Sequence, residues 1–208
     1  MLELIVKDHH IASPLPEGFT FDAQTLSIPA KKQFDDPIKI HIKDDNHESL
    51  KIVVGAQTHV KIILEVASEQ TSKHGYHIEL VLKQSAQVKY LLVSELASEE
   101  ALLDHFFTVE RDAYLDLVGG FVSHIIDAKM HVDLIGQGAE VKMRAIAVSS
   151  DHNKQNIDVL IIHKAPYTTG HMTNIGIANK RGKIILNGVE KIEKGMKQAN
   201  AFQTLKGI

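Results

Sequence analysis

The chain has no cysteine and no tryptophan, and Phe, Tyr and Trp together make up 5% of it. Without cysteine it can form no disulfide, no thiolate zinc site, no cysteine nucleophile and no iron–sulfur cluster held by its own thiolates. That fits a reducing cytosol. The scarcity of aromatics argues against a specialised small-molecule pocket, whose walls are commonly aromatic. No apolar run approaches the roughly 20 residues that cross a bilayer. The opening MLELIVKDHH turns polar too early for a signal peptide. An excess of one charge is missing too: a net charge of −3 with 24% charged residues leaves no basic footprint for nucleic acid. The expectation is a soluble, cytoplasmic protein with neither a membrane nor a nucleic acid as partner.

What is present is alternation. The 208 residues suit one domain, and at 44% apolar they can bury a sizeable core. Residues 1–36 are the least regular part and read as an N-terminal capping segment. There LELIV, Phe19–Phe21 and Thr25–Ile28 could be short strands, and Ser13–Gly18 (SPLPEG) is a turn. From Pro37 onward apolar residues fall on every second position: Ile38, Ile40, Ile42, then Leu50, Ile52, Val54, then Val60, Ile62, Leu64, Val66. That period puts one face inward and one toward water. Ser98–Leu103 (SEEALL) is the one helical candidate, and it reads equally well as an excursion between strands.

The alternation recurs as a longer unit. Copies end at Ala86 (IELVLKQSA), Ala113 (HFFTVERDA), Ala139 (HVDLIGQGA) and Ala165 (IDVLIIHKA), at spacings of 27, 26 and 26, with a weaker copy ending at Ala56 (ESLKIVVGA). A fixed period in this range means stacked units, none of which buries its apolar face alone. Two strands per unit and no crossover helix argue against a propeller, whose blades are longer, and against a sandwich, whose register is less even. The predicted fold is all-β, a single-stranded parallel β-helix over residues 37–208 with rungs of about 27 residues. The recurring alanines are expected at a tight corner where rungs superpose.

Residues 112–208 resemble the core of the SufB/SufD (SufBD) proteins of iron–sulfur cluster assembly, most closely a short SufD-type member. The resemblance is carried by Leu115–Gly120 (LDLVGG), His131–Val141 (HVDLIGQGAEV), Asp151-His152 and Ile157-Asp158. It continues in His163-Lys164-Ala165-Pro166 with Thr168, in Gly182 with Asn187-Gly188, and in Gln198-Ala199 with Ala201-Phe202-Gln203. Residues 38–111 fit the same core more loosely. The resemblance implies a right-handed parallel β-helix and a non-enzymatic scaffold role in the SUF system. It also implies a homodimer or a heterodimer with a SufB-like chain, and a SufC-like ATPase as a further partner. No cofactor is expected on this chain alone, the iron–sulfur cluster being the product of the wider assembly. Against the family's pattern, the chain lacks a helical N-terminal domain. It also stops at Ile208, where members continue with more β-helix and a helical domain that contacts the ATPase. The histidine-bearing segment implicated in the family's cluster chemistry falls in that later part, so no functional residue is carried over.

The thirteen histidines are the remaining chemical signal. His74 and His77 have ligand-like spacing, His9 and His10 are adjacent, and His41 lies between Lys39 and Lys43. Neutral imidazole suits iron, zinc and nickel. His105 and His131 are 26 residues apart and could stack on neighbouring rungs, with Asp133 on the face of His131. The alternative is a solvated or hydrogen-bonded histidine row. His152 and His163 lie in the family-like segments, and alternation turns His163 inward, as a structural, hydrogen-bonded residue. No HExxH, GxSxG or helix-opening phosphate loop is present. The carboxylates Asp112, Asp116, Asp127, Asp133 and Glu140 are scattered, which weakens the reading as a β-helix carbohydrate enzyme. No catalytic, cofactor-binding or metal residue is assigned at this stage. The tail from Lys191 loses its alternation, and a solenoid ending there is expected to expose an edge to a partner.

Overall fold

A computed structural model describes residues 2–43 and 46–208. Its strands run in chain order as β1 (Leu2–Lys7), β2 (His10–Ile11), β3 (Thr20–Asp22), β4 (Thr25–Ile28), β5 (Ile38–Lys43) and β6 (His47–Val54). Then come β7 (His59–Leu82), β8 (Gln87–Val109), β9 (Tyr114–Phe121), β10 (Ile125–Leu134) and β11 (Glu140–Ser149). The last four are β12 (Lys154–His163), β13 (Thr169–Ala178), β14 (Lys183–Ile192) and β15 (Asn200–Gly207). The described residues contain no helix, so none is long and apolar enough to cross a membrane. The SEEALL stretch lies within β8, because Leu103 is needed on the buried face and a strand supplies it at period two.

The strands form a parallel β-solenoid of two faces. The first ladder runs β1, β5, the first half of β7, the first half of β8, β9, β11, β13, β15. The second runs β4, β6, the second halves of β7 and β8, β10, β12, β14. Each coil thus contributes one strand to each face, and β7 and β8 pass through the bend between the faces without a break. Hydrogen bonding is parallel between coils, so every inward residue sits on another inward residue. One such row is Ile52, Leu80, Phe107, Val132, Ile161. Another is Ile40, Leu64, Leu92, Gly119, Ala145. These residues are buried and fill the bore from both sides.

The tight corner that returns the chain from the second face to the first explains the repeat and corrects part of it. Residues with positive φ stack there: Gln57, Ser85, Asp112, Gly138, Tyr167 and Gln198. Their amides climb the column, Gln57 donating to the carbonyl of Gln84, Ser85 to Arg111, Asp112 to Gln137, Gly138 to Pro166 and Tyr167 to Lys197. The residue after each is small: Thr58, Ala86, Ala113, Ala139, Thr168, Ala199. Ala86, Ala113 and Ala139 therefore occupy the expected corner. Ala56 and Ala165 do not: they lie two and three residues ahead of it, and Thr58 and Thr168 take the position. The true coil lengths are uneven. Gln87 pairs with Tyr114 and Tyr114 with Glu140, intervals of 27 and 26, but Glu140 pairs with Thr169 and Thr169 with Asn200, intervals of 29 and 31. Gly136 is required at this corner, since a Cβ there would lie 2.0 Å from the Arg111 nitrogen.

At the opposite bend side chains supplement the backbone bonds between coils, such as that from the His124 amide to the Leu96 carbonyl at 2.9 Å. Ser123 Oγ accepts from the Leu96 amide at 3.0 Å, and Ser98 Oγ accepts from the Ile125 amide at 3.1 Å while donating to its carbonyl at 2.6 Å. Gln155 Nε2 donates to the carbonyls of Ser123 and Val148 at 2.8 and 2.9 Å. Buried backbone groups must be paired somewhere, and here hydroxyls and an amide do it.

Candidate functional site

The outer surface of the second face carries most of the charged chemistry. Lys51 meets Glu79 at 2.7 Å, Lys129 meets Asp104 at 3.8 Å and Lys164 meets Asp133 at 2.7 Å, each across to a neighbouring coil. Asp158 accepts from Asn187 Nδ2 at 2.6 Å, and on the first face Arg144 pairs with Asp116. Of the carboxylates the sequence leaves scattered, Asp116 and Asp133 are engaged along the solenoid axis, and Asp112 pairs with its neighbour Arg111. The Lys51 ammonium holds the Glu79 carboxyl below its ordinary range.

The proposed His105/His131/Asp133 cluster does not form. His131 pairs in register with Phe106, not with His105, which sits opposite Met130. Their 26-residue separation meets a coil offset of 25 at this point, and one residue of slip turns a side chain to the other face. His131 stays outside, with its Nε2 3.0 Å from Asp133 and its ring 5.7 Å from that of Phe106. His105 lies inside, fully buried, with Nε2 2.7 Å from the Tyr90 hydroxyl. Burial lowers the His105 pKa to about 3 and pushes that of Tyr90 well up.

The other histidines also part company. His74 is buried and hydrogen-bonds with Ser72 at 3.1 Å, while His77 faces outward against Phe106. Residues three apart on a strand point to opposite faces, so this pair cannot share a ligand. His9 Nδ1 reaches the buried Glu48 carboxylate at 2.7 Å, and His41 lies 3.0 Å from Glu65. His10 and His152 are exposed. Among the described residues, no three His, Asp or Glu side chains converge as a metal cage.

The chemically unusual region is the C-terminal end of the bore. Three interior rows that begin apolar end there in polar residues. The row Ile52 to Ile161 continues with Glu190, the row Ile40 to Ala145 with Asn174, and Val54, Leu82, Val109, Leu134 continue with His163. His163 is buried with Nδ1 2.8 Å from Thr168 Oγ1, which donates its own proton to the Ala165 carbonyl at 3.1 Å. Its Nε2 lies 4.0 Å from the Glu190 carboxylate. His163 Nε2, both carboxylate oxygens of Glu190 and Oδ1 of Asn174 are buried without a hydrogen-bond partner. Gln203 Nε2 donates across to the Gly188 carbonyl at 2.8 Å. His163 is turned inward, as alternation predicts, and is hydrogen-bonded to Thr168. Glu190 was missed, although the run Ile184, Leu186, Gly188, Glu190 already marks it as inward by alternation.

Two apolar surfaces are uncovered. On the first face Val122, Val148 and Ile177 form an exposed ladder across successive coils, with Ile208 beyond them. On the last coil Ile185, Val189, Ile192, Phe202 and Leu205 are all more than 40% exposed. The tail past Lys191, read from the sequence as losing its alternation, continues as strand β15, paired in parallel with β13.

The family model for the SufBD core domain, described as SUF system FeS cluster assembly, matches residues 41–208. Curated relatives include an iron-sulfur cluster assembly SufBD family protein of Staphylococcus epidermidis, 25% identical over 133 residues, or 63% of this chain and 29% of the relative. Similar proteins of Staphylococcus haemolyticus and Staphylococcus aureus are 24% and 23% identical over the same length and the same shares. The match spans less than a third of each of these relatives. The segments that carry the resemblance are structural in this fold: Asp151 and Gln198 hold positive-φ turns, His163 bonds Thr168, and Asn187 bonds Asp158.

Proposed function

Because the chain belongs to the SufBD core family of iron–sulfur cluster assembly proteins, we infer that it acts there as a non-enzymatic scaffold through protein–protein contacts. The observation that carries this reading is the match over residues 41–208 to a solenoid that leaves a flat apolar ladder, Val122, Val148 and Ile177, facing solvent. Exposed apolar patches on a rigid sheet are association surfaces. A SufB-like chain is the proposed partner, with a second copy of this chain as the homodimeric counterpart and a SufC-like ATPase as a further component. A cytoplasmic setting belongs to the same proposal.

A carbohydrate-cleaving role finds less support. Such an enzyme needs a pair of carboxylates free to act on one sugar, whereas Asp104, Asp116, Asp133 and Asp158 are held by Lys129, Arg144, Lys164 and Asn187.

The test is co-expression with SufB-like and SufC-like chains from one cell, followed by affinity capture and light scattering. Recovery of a SufB-like chain at fixed stoichiometry is the expected result. Capture of neither chain, with this protein running alone, would remove the scaffold reading.

A further inference from the structure

We propose that His163 and Glu190 hold a divalent transition-metal cation at the C-terminal end of the bore. This stands on the side-chain geometry and not on the assembly role.

The argument begins with one proton. Thr168 has a single hydroxyl hydrogen, and it is directed to the Ala165 carbonyl. With the hydroxyl hydrogen so placed, the 2.8 Å contact between Thr168 Oγ1 and His163 Nδ1 takes the tautomer in which the imidazole donates from Nδ1. In the neutral ring that leaves Nε2 as an unprotonated lone pair. The lone pair faces the Glu190 carboxylate at 4.0 Å. Two acceptors thus confront each other in a buried space, and neither Nε2 nor either carboxylate oxygen has a hydrogen-bond partner. A buried, unpaired carboxylate is among the most costly arrangements in a protein interior. A cation between the two groups removes the conflict. Bonds of about 2.0–2.2 Å to imidazole and carboxylate span the observed separation with little movement.

The surroundings fit an ion. Gly170 lies opposite on β13, and a Cβ there would come 3.0 Å from His163 Nε2 and 3.1 Å from Glu190 Oε2. The space between the two ligands is thus kept free by the absence of a side chain. The hydrogen bond to Nδ1 orients the ring and raises its basicity, as outer partners of metal-bound histidines do. One imidazole nitrogen with carboxylate oxygens suits zinc, iron(II), cobalt(II) or nickel(II) rather than calcium or magnesium.

The experiment is a cobalt(II) titration of the full chain, read by visible absorption and by competition with zinc. The expected result is one cobalt per chain, with affinity at least tenfold weaker in Glu190→Gln and in Gly170→Ala and unchanged in His131→Ala. Gly170→Ala keeps both ligands and fills the space between them, so its loss of binding locates the ion. Thermal melts add a second readout. In chelator Glu190→Gln should melt at or above wild type, because a buried carboxyl without a hydrogen-bond partner is gone, and with saturating zinc the order should reverse. Absence of a tight ion, or binding that survives Glu190→Gln and is lost in His131→Ala, would overturn the proposal.

Discussion

The Tyr90 hydroxyl lies 2.7 Å from Nε2 of His105 and joins the two faces of the solenoid across its bore. Both residues belong to β8, 15 positions apart, on either side of the bend. His105 also stacks on Phe107 with ring centroids 4.0 Å apart. Burial keeps the imidazole neutral, with its pKa lowered to about 3.

A pH dependence follows. Between the unfolded value near 6.5 and about 3, the unfolded chain binds a proton that the folded chain refuses. Stability should fall as the pH drops through that window, by at most about 1.4 kcal/mol per pH unit from this residue. Above pH 6.5 it contributes no slope. Urea unfolding of wild type and His105→Leu at pH 7 and pH 4.5 checks this: the variant should lose less stability between the two.

At the tight corner, substitutions should act in opposite directions. Ser85 holds φ of 58°, a conformation that costs a side-chain-bearing residue about 1 kcal/mol. Ser85→Gly should raise stability or leave it unchanged, the relief being offset by glycine's greater freedom when unfolded. Gly136→Ala would drive a methyl into the Arg111 backbone. Its expected outcome is a drop in melting temperature of several degrees, measured by calorimetry.

Val148 and Ile177, 39% and 37% exposed and paired in register, can be tested as an association surface. The double variant Val148→Lys, Ile177→Glu, which sets opposite charges across the ladder, should keep the wild-type circular dichroism spectrum, since both side chains face solvent. It should lower recovery of a SufB-like partner at least tenfold. Unchanged recovery would move the contact elsewhere, the uncovered coil of β14 and β15 being the next candidate.

The ion pairs between coils should matter little singly. Lys51→Ala, which leaves Glu79 beside His77 Nε2 at 3.4 Å, should cost less than about 1 kcal/mol at moderate salt, because both side chains of the pair are more than a third exposed. A double-mutant cycle with Glu79→Ala measures it.

Much of this architecture was legible because period two is a strong signal and parallel coils repeat it. Ile52, Leu80, Phe107 and Val132 announce their inward row in the sequence alone. Register was not legible at the level of one residue. The spacing of His105 and His131 matched the average coil, but pairing there is set by a local length of 25, and that difference separates an inner from an outer histidine. The alanine series failed at Ala165 for the same reason: Pro166 and Tyr167 extend the turn before the chain re-enters the ladder at Thr169. Glu190 went unread because a lone acidic residue in an alternating run looks like an ordinary surface charge until the coil beneath it is known.

The bend that Ser98, Ser123 and Gln155 stitch together is one place where the coils differ in length. Gln87 to Tyr114 spans 27 residues on the first face, but Leu102 to Asp127 spans only 25 on the second; one coil later Tyr114 to Glu140 spans 26 and Ile125 to Lys154 spans 29. Two residues vanish and three return without disturbing the rows on either side. The tight corner takes up residues as well, since His163 to Ile192 spans 29 on the second face and Thr169 to Asn200 spans 31 on the first. Insertions and altered surface shape can therefore accumulate along both edges of the solenoid while the stacked interior carries on unaltered.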